Sequence, residues 1–349
     1  MRTLDAAFNI HNLVSIVASA EKPEYERVIK RLAVEYEHFL QSDVSDPALR
    51  IKIGPIDGRP QNYSRVDGRY LVNETALYCE DSYKVARWRI LITGFDSDSL
   101  ELTIEPNWFA KDLIPAILIT PMISLQLMKK GHSLVHAAGI VKEESILITG
   151  FGGSGKTRCV FKAMDEGYRL LGDDHVILRD GRALSFPTAL SLFSYNLPTS
   201  AWARPWRSEV KEKALLNWAT FGYANLVTKA STDRLFANAI ASDSLLGRVF
   251  LLQPSVCESG SVNRIEKEIL VEAWFQNIAS EIPYFFKYLF AYIYSNPGSP
   301  LNDYDETFKK LLLANLGNCN QFLKVVFPQD KSAEFLDHSL FSGDIPFQK

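Results

Sequence analysis

Cysteine is scarce in this chain: four residues in 349, at Cys79, Cys159, Cys257 and Cys319. No two of them stand at the short spacing of a metal knuckle or a redox pair. A thiolate zinc site, a dithiol redox centre and a disulfide-built fold are therefore excluded as readings, and a reducing cytoplasm is the predicted compartment. An excess of one charge is lacking as well. The net charge is −3, from 38 basic and 41 acidic residues, so no broad basic face is offered to nucleic acid. Long apolar runs are missing. The longest, Leu113 to Met128, contains Pro115 and Pro121 and is short for a bilayer. It predicts a buried helix or helix pair and no membrane partner. The opening residues, Met1-Arg2-Thr3-Leu4-Asp5, lead into no apolar run of the kind that begins an export signal. Internal repeats and low-complexity tracts are absent too.

What remains is an ordinary globular composition, 47% hydrophobic and 23% charged, with length enough for two domains or one large domain and an appendage. Residues 1–107 predict a small α+β domain. Between Glu24 and Leu40, Tyr25, Val28, Ile29, Leu32, Tyr36 and Phe39 recur at helical steps behind Pro23. Asp67-Gly68 predicts a hairpin between Tyr63–Val66 and Arg69–Val72. Trp88–Thr93 and Leu100–Ile104 flank a polar loop as a second hairpin. Residues 108–349 predict an α/β domain. Its expected strands are Leu134–Val141, Ile146–Thr149, Tyr168–Leu171, His175–Leu178, Ala183–Phe186, Gly247–Gln253 and Gln321–Phe327. Its later helices are Ile265–Asn277, Pro283–Tyr294 and Glu306–Leu313.

The chemistry is concentrated after the strand Ile146–Thr149. Gly150-Phe151-Gly152-Gly153-Ser154-Gly155-Lys156-Thr157 is a full match to G-x-x-x-x-G-K-[ST]. A helix with Val160, Phe161 and Met164 on one face follows, so the motif stands in the strand–loop–helix context that gives it meaning. The backbone of Gly150, Gly152, Gly153, Ser154 and Gly155 is expected to turn successive N–H groups toward one anion. The start of the helix adds its positive end. Lys156 would reach the outer phosphates of a nucleoside triphosphate, and the Thr157 hydroxyl would ligate Mg²⁺.

Phosphoryl transfer needs a metal on the phosphates and a group that orients or deprotonates the acceptor. Asp173 and Asp174 end the short strand after the first helix. Adjacent strand residues face opposite ways, so one is expected to serve Mg²⁺ and the other the acceptor hydroxyl. His136 is expected on the strand that pairs with the strand before the loop, where an imidazole can assist a phosphoryl oxygen or a proton. His175 follows the acids directly and is expected to point away. Trp202-Ala203-Arg204-Pro205-Trp206-Arg207 sets two arginines among aromatics. Arg204 and Arg207 are candidates to clamp a carboxylate or the transferring phosphoryl group, and Arg248 is another of the same kind.

His136, the loop Gly150–Thr157 and the run Gly167-Tyr168-Arg169-Leu170-Leu171-Gly172-Asp173-Asp174 together resemble the HPr kinase/phosphorylase family. The catalytic domain of that family is related to phosphoenolpyruvate carboxykinase. The resemblance covers about residues 131–190. It implies a P-loop kinase core with Asp173 as the base toward a seryl hydroxyl, Asp174 helping Thr157 hold the metal, and His136 near the transferred phosphate. After the acid pair, Leu184-Ser185-Phe186-Pro187-Thr188-Ala189-Leu190 does not match the family's signature for recognising HPr, and a further acidic metal ligand has no counterpart. The chain is thus more similar to the divergent group that includes free-serine kinases and kinases of ribosomally made peptides. The implied activity is Mg²⁺-ATP-dependent transfer of the γ-phosphoryl group to a hydroxyl of a small molecule or peptide, serine-like by preference. ATP, Mg²⁺ and that acceptor are the implied partners, and a homo-oligomer is compatible. A nucleotide sensor and a hydrolysing P-loop ATPase are the other two readings.

Overall fold

A computed structural model describes residues 4–192, 204–221, 226–319 and 321–328, and the fold is mixed α/β. By internal contacts the chain divides into two compact units. Among the described residues, the first unit comprises 4–131, 220–221 and 279–307. The second comprises 132–192, 204–219, 226–278, 308–319 and 321–328. This division differs from a boundary at 107/108. The apolar stretch after Trp108 packs into the first unit, where the buried Tyr36 hydroxyl meets Thr120 Oγ1 at 2.8 Å and the Pro115 carbonyl at 3.4 Å.

The first unit is built on a nine-stranded sheet. In chain order its strands are β1 (Asp5–Ile10), β2 (Val14–Ala20), β3 (Leu40–Gln41), β4 (Leu49–Ile53), β5 (Ser64–Val66), β6 (Tyr70–Val72), β7 (Ala76–Tyr83), β8 (Ala86–Thr93) and β9 (Leu100–Pro106). They lie in the order β3-β1-β2-β4-β9-β8-β7-β6-β5. Both expected hairpins form, β5–β6 and β8–β9. The β1–β2 hairpin was not anticipated, although Val14, Ile16, Ala18 and Ala20 alternate buried with half-buried neighbours as a one-faced strand must. The expected long first helix is a shorter α1 (Glu26–Glu35) between two 3₁₀ turns, Pro23–Tyr25 and Glu37–Phe39. The second helix, α2 (Thr120–Lys129), is buried along nearly its whole length. A cavity of about 650 Å³ in this unit, lined among others by Arg69, Arg87, Arg89, Glu80 and Glu105, contains none of the candidate site residues.

The second unit opens with β10 (Ser133–His136), β11 (Ala138–Val141), β12 (Ser145–Thr149), α3 (Lys156–Asp165), β13 (Arg169–Gly172), β14 (His175–Arg179) and β15 (Arg182–Ser185). It continues through β16 (Leu190–Leu192), α4 (Arg207–Ala219), β17 (Thr228–Ala230), α5 (Thr232–Leu235), β18 (Asp243–Ser255), β19 (Ser261–Arg264) and α6 (Lys267–Glu281). After α7 (Pro283–Ser295), which packs in the first unit, α8 (Tyr304–Asn315) and β20 (Phe322–Pro328) end the described chain.

The second sheet runs β10-β14-β15-β18-β12-β11-β13, and β20 joins β18. The long β18 ties it together. It is antiparallel to β15 at Asp243–Leu245, parallel to β12 at Leu246–Leu251 and parallel to β20 from Val249 onward. Ile148, Val160, Phe161, Leu170, Phe236, Phe250 and Val325 form one buried cluster under α3. The segment Leu134–Val141, expected as one strand, is two. β10 pairs with β14, whereas β11 pairs with β12 and β13, and the chain crosses from one partner set to the other at Ala137. The return chain crosses at the same level, between β13 and β14, and the two crossings are joined by Ala137 N–H donating to the Asp174 carbonyl at 3.1 Å. No helix among the described residues is long and apolar enough to cross a membrane.

Candidate active site

The loop after β12 takes the shape its glycines allow. Gly150, Gly153 and Gly155 have φ of 154°, 80° and 96°. At Gly150 a side chain is also excluded by space, since a Cβ would stand 2.8 Å from both the Leu252 carbonyl oxygen and Ser154 Oγ. Gly155 caps the start of α3, so the free N–H groups and the positive end of that helix face the loop. Lys156 is buried, and its Nζ donates to the Gly150 carbonyl at 2.7 Å and the Phe151 carbonyl at 3.4 Å. Ser154 is 2% exposed, and its Oγ has no hydrogen-bond partner. The Ser154 N–H closes the turn by donating to the Phe151 carbonyl at 3.1 Å, so the partnerless Oγ is the polar atom this loop leaves for a ligand.

Asp173 and Asp174 do not lie on a strand. They form the bend between β13 and β14, at the crossing described above. Gly172 makes the bend: a Cβ there would fall 2.1 Å from the His175 carbonyl oxygen. The bend delivers Asp173 to the loop, where Thr157 Oγ1 donates to Asp173 Oδ2 at 3.0 Å. Asp173 is 5% exposed and its Oδ1 has no hydrogen-bond partner. Burial, then the neighbouring Asp174 charge, pushes its carboxyl up to about 7 against the pull of Thr157, Lys156 and Lys229. Asp174 is half-buried. Burial would raise it too, but His136, Lys229, His175 and Lys156 together outweigh burial and hold it below the usual aspartate range.

His136 ends β10 directly opposite His175 on β14, with ring centroids 5.7 Å apart. Burial, reinforced by Lys156, lowers His136 to about 3, and burial lowers His175 to about 4. Both rings are therefore neutral at pH 7. His175 thus faces the same cluster, contrary to the expectation that it points away. His136 is on the strand next to the crossing and not on the partner of β12, yet its carbonyl is bound to that strand by Thr149 Oγ1 at 2.9 Å.

Three further residues belong to the site. Lys229, on β17, acts electrostatically on both acids and on His175. Trp274 and Asn277, one turn apart on α6, are buried. Trp274 Nε1 donates to the His136 carbonyl at 3.1 Å, and Asn277 Nδ2 donates to the Gly150 carbonyl at 3.1 Å. The signal for Asn277 was a lone amide among Leu270, Val271, Trp274 and Ile278 on one helix face. Arg204 and Arg207 are exposed at the start of α4, without a hydrogen bond or ion pair to a described residue. Trp202 and Ala203 lie outside the described residues, while Trp206 packs on the core. Arg248 pairs with Ile146, near the entry end of β12 and away from the loop.

Among the described residues no three His, Cys, Asp or Glu side chains gather to hold a metal ion. The donors that do meet are hard oxygens, Thr157 Oγ1 and Asp173 Oδ2 at 3.0 Å, on a carboxylate whose Oδ1 is unsatisfied. They fit Mg²⁺, which takes one or two protein oxygens and completes its shell with water and phosphate. The chain matches no family model and no curated protein.

Proposed function

We propose that this protein is a Mg²⁺-ATP-dependent kinase that transfers the γ-phosphoryl group to a hydroxyl of a small molecule or peptide, with a P-loop kinase core in its second unit. The observation that carries this reading is the 3.0 Å contact between Thr157 of the phosphate loop and Asp173 of the acid bend, with Asp174 beside it. Binding phosphates needs only the loop and Lys156, whereas two acids at the loop's helix start supply a metal partner and a base. The resemblance to the HPr kinase/phosphorylase family supports the same chemistry.

The geometry favours exchanging the two acids' roles relative to that resemblance. Asp173, hydrogen-bonded to Thr157 and carrying an unsatisfied oxygen, is the acid that would share the cation. Asp174, ionised and partly open to solvent, is the one placed to accept the proton of the acceptor hydroxyl. Bound Mg²⁺ would neutralise charge on the β- and γ-phosphates. Lys156 leaves the loop carbonyls for the outer phosphates, and the loop N–H groups hold their oxygens in place. The acceptor oxygen attacks phosphorus, its proton passes to Asp174, and the bond to the ADP oxygen breaks. His136 and His175, both neutral, present a polar wall without adding charge to the site.

The test is ³¹P NMR of the full chain with Mg²⁺-ATP and pooled acceptors: serine, threonine, sugars, polyols, nucleosides and serine-ended peptides. A new phosphomonoester resonance that vanishes in Asp174→Asn supports the kinase. Inorganic phosphate alone, whatever the pool, would move the reading to an ATPase. Tight nucleotide binding without turnover would leave a nucleotide sensor.

A further inference from the structure

We infer that Asn277 is a positioning residue of the phosphate loop, whose amide keeps the Gly150 carbonyl satisfied when Lys156 leaves it to bind phosphate. The inference rests on the nucleotide-binding part of the reading above and concerns how that same loop is held ready.

Lys156 has two places to be. In the structure its ammonium donates to the carbonyls of Gly150 and Phe151, the first at 2.7 Å. To reach a phosphate it must give up those bonds. Gly150 is buried, so a carbonyl abandoned there is not rescued by bulk water, and an unsatisfied buried acceptor opposes the move. Asn277 removes that penalty. Its Nδ2 already donates to the same Gly150 carbonyl at 3.1 Å and to Thr149 Oγ1 at 3.3 Å. The Gly150 carbonyl therefore has a second donor that does not move with the lysine.

The amide cannot be turned round. A carbonyl oxygen can only accept, so the Asn277 atom facing Gly150 must be nitrogen. Its Oδ1 then faces His136 Nδ1 at 3.4 Å, which places the hydrogen on Nδ1 and leaves the lone pair on Nε2. Asn277 is 1% exposed. Trp274, one turn earlier on the same helix, donates to the His136 carbonyl, and Thr149 Oγ1 donates to it as well. One helix face thus grips the end of β10 and the start of the phosphate loop through side-chain donors. Asn277 is separated from Gly150 by 127 positions in sequence, so the contact belongs to the tertiary fold and not to the motif.

The test is a double-mutant cycle read by equilibrium binding of fluorescent ADP and Mg²⁺-ATP to the full chain. Asn277→Leu keeps the volume and removes the donors. Asn277→Val removes the donors as well, with a smaller neutral side chain. Each is expected to weaken nucleotide binding about tenfold in the parent chain. In Lys156→Met, where no lysine has to leave Gly150, the same changes are expected to alter the remaining affinity less than twofold. A general folding defect would weaken binding equally in both backgrounds, and that result would overturn the inference. Unchanged affinity in the parent chain would overturn it as well. A parent chain that binds no nucleotide would sink the nucleotide reading itself, an outcome distinct from both.

Discussion

Replacing Asp173 by Asn is expected to stabilise the nucleotide-free protein and, on the proposed reading, to weaken Mg²⁺-nucleotide binding. The carboxyl is buried, holds one hydrogen bond from Thr157 and leaves Oδ1 without a partner. Burial and the Asp174 charge raise it from 3.8 to about 7. The sign follows from linkage. In the unfolded chain the group ionises near pH 4, whereas in the fold it stays protonated until about pH 7. Its favourable contribution is complete below pH 4 and is lost as pH rises through 7. The shift is about 3 units at about 1.4 kcal/mol each, so the loss is about 4 kcal/mol in total. Asparagine does not ionise. The stability difference between Asp173→Asn and the parent should therefore grow in favour of the variant by about 1.4 kcal/mol per pH unit between roughly pH 4 and 7 and level off above. His136 and His175 titrate in both chains and largely cancel in the difference. Urea unfolding of both proteins at pH 5, 6, 7 and 8, without Mg²⁺ or nucleotide, measures it. A difference that is flat with pH, or that favours the parent at pH 8, would refute the assignment of Asp173 as a strained acid awaiting a cation.

Asp174→Asn should retain Mg²⁺-nucleotide affinity within a few-fold and lower phosphoryl transfer by about 10²–10⁴, the usual worth of a positioned base; single-turnover kinetics beside a binding titration separates the two. Gly172→Ala puts a Cβ 2.1 Å from the His175 carbonyl oxygen, so loss of nucleotide binding together with a lowered melting temperature is expected in the same preparation. His175 is held to about 4 by burial, so its contribution is present above pH 6.5 and lost as pH falls below that. His175→Gln should flatten the acid-side loss by about 1.4 kcal/mol per pH unit between pH 6.5 and 4, checked by denaturant titrations at stepped pH. Phe250, wholly buried in the cluster under α3, should cost about 3–5 kcal/mol on replacement by Ala, read from the shift in urea midpoint.

The phosphate loop and its helix were legible because they are local: strand, glycines, lysine and helix follow one another, and each constrains only its neighbours. The acid pair was legible for the same reason, but its placement was not. A strand reading put Asp173 and Asp174 on opposite faces. The bend at Gly172 instead turns Asp173 into contact with Thr157, a consequence of where two strands change partners. Leu134–Val141 read as one strand because no proline or polar turn interrupts it. The break at Ala137 is imposed by β12, β13 and β14, which lie elsewhere in the sequence. His175 was set aside because it directly follows the acids; the pairing of β10 with β14, which the sequence does not display, is what brings it opposite His136. Asn277 left a signal, a lone amide on an apolar helix face, but its contact with the loop was beyond reach, because a helix pattern shows that a face is buried and not what it covers.

The strand beneath the phosphate loop has a bearing on how the protein is made. β12 lies parallel to β18, and Ser145 Oγ donates to the Leu245 carbonyl 100 positions later in the chain. At about 5–20 residues per second, the ribosome releases the phosphate loop some 5–20 seconds before the strand that beds it. During that interval Leu147 and Ile148, fully enclosed in the finished protein, have no parallel neighbour to cover them. The Gly150 turn likewise lacks the Leu252 backbone against which it fits. Nucleotide cannot chaperone this nascent domain from its own motif outward. If the loop binds nucleotide as proposed, it does so only after β18 has emerged, so chains arrested before residue 243 should carry the motif and ignore the nucleotide.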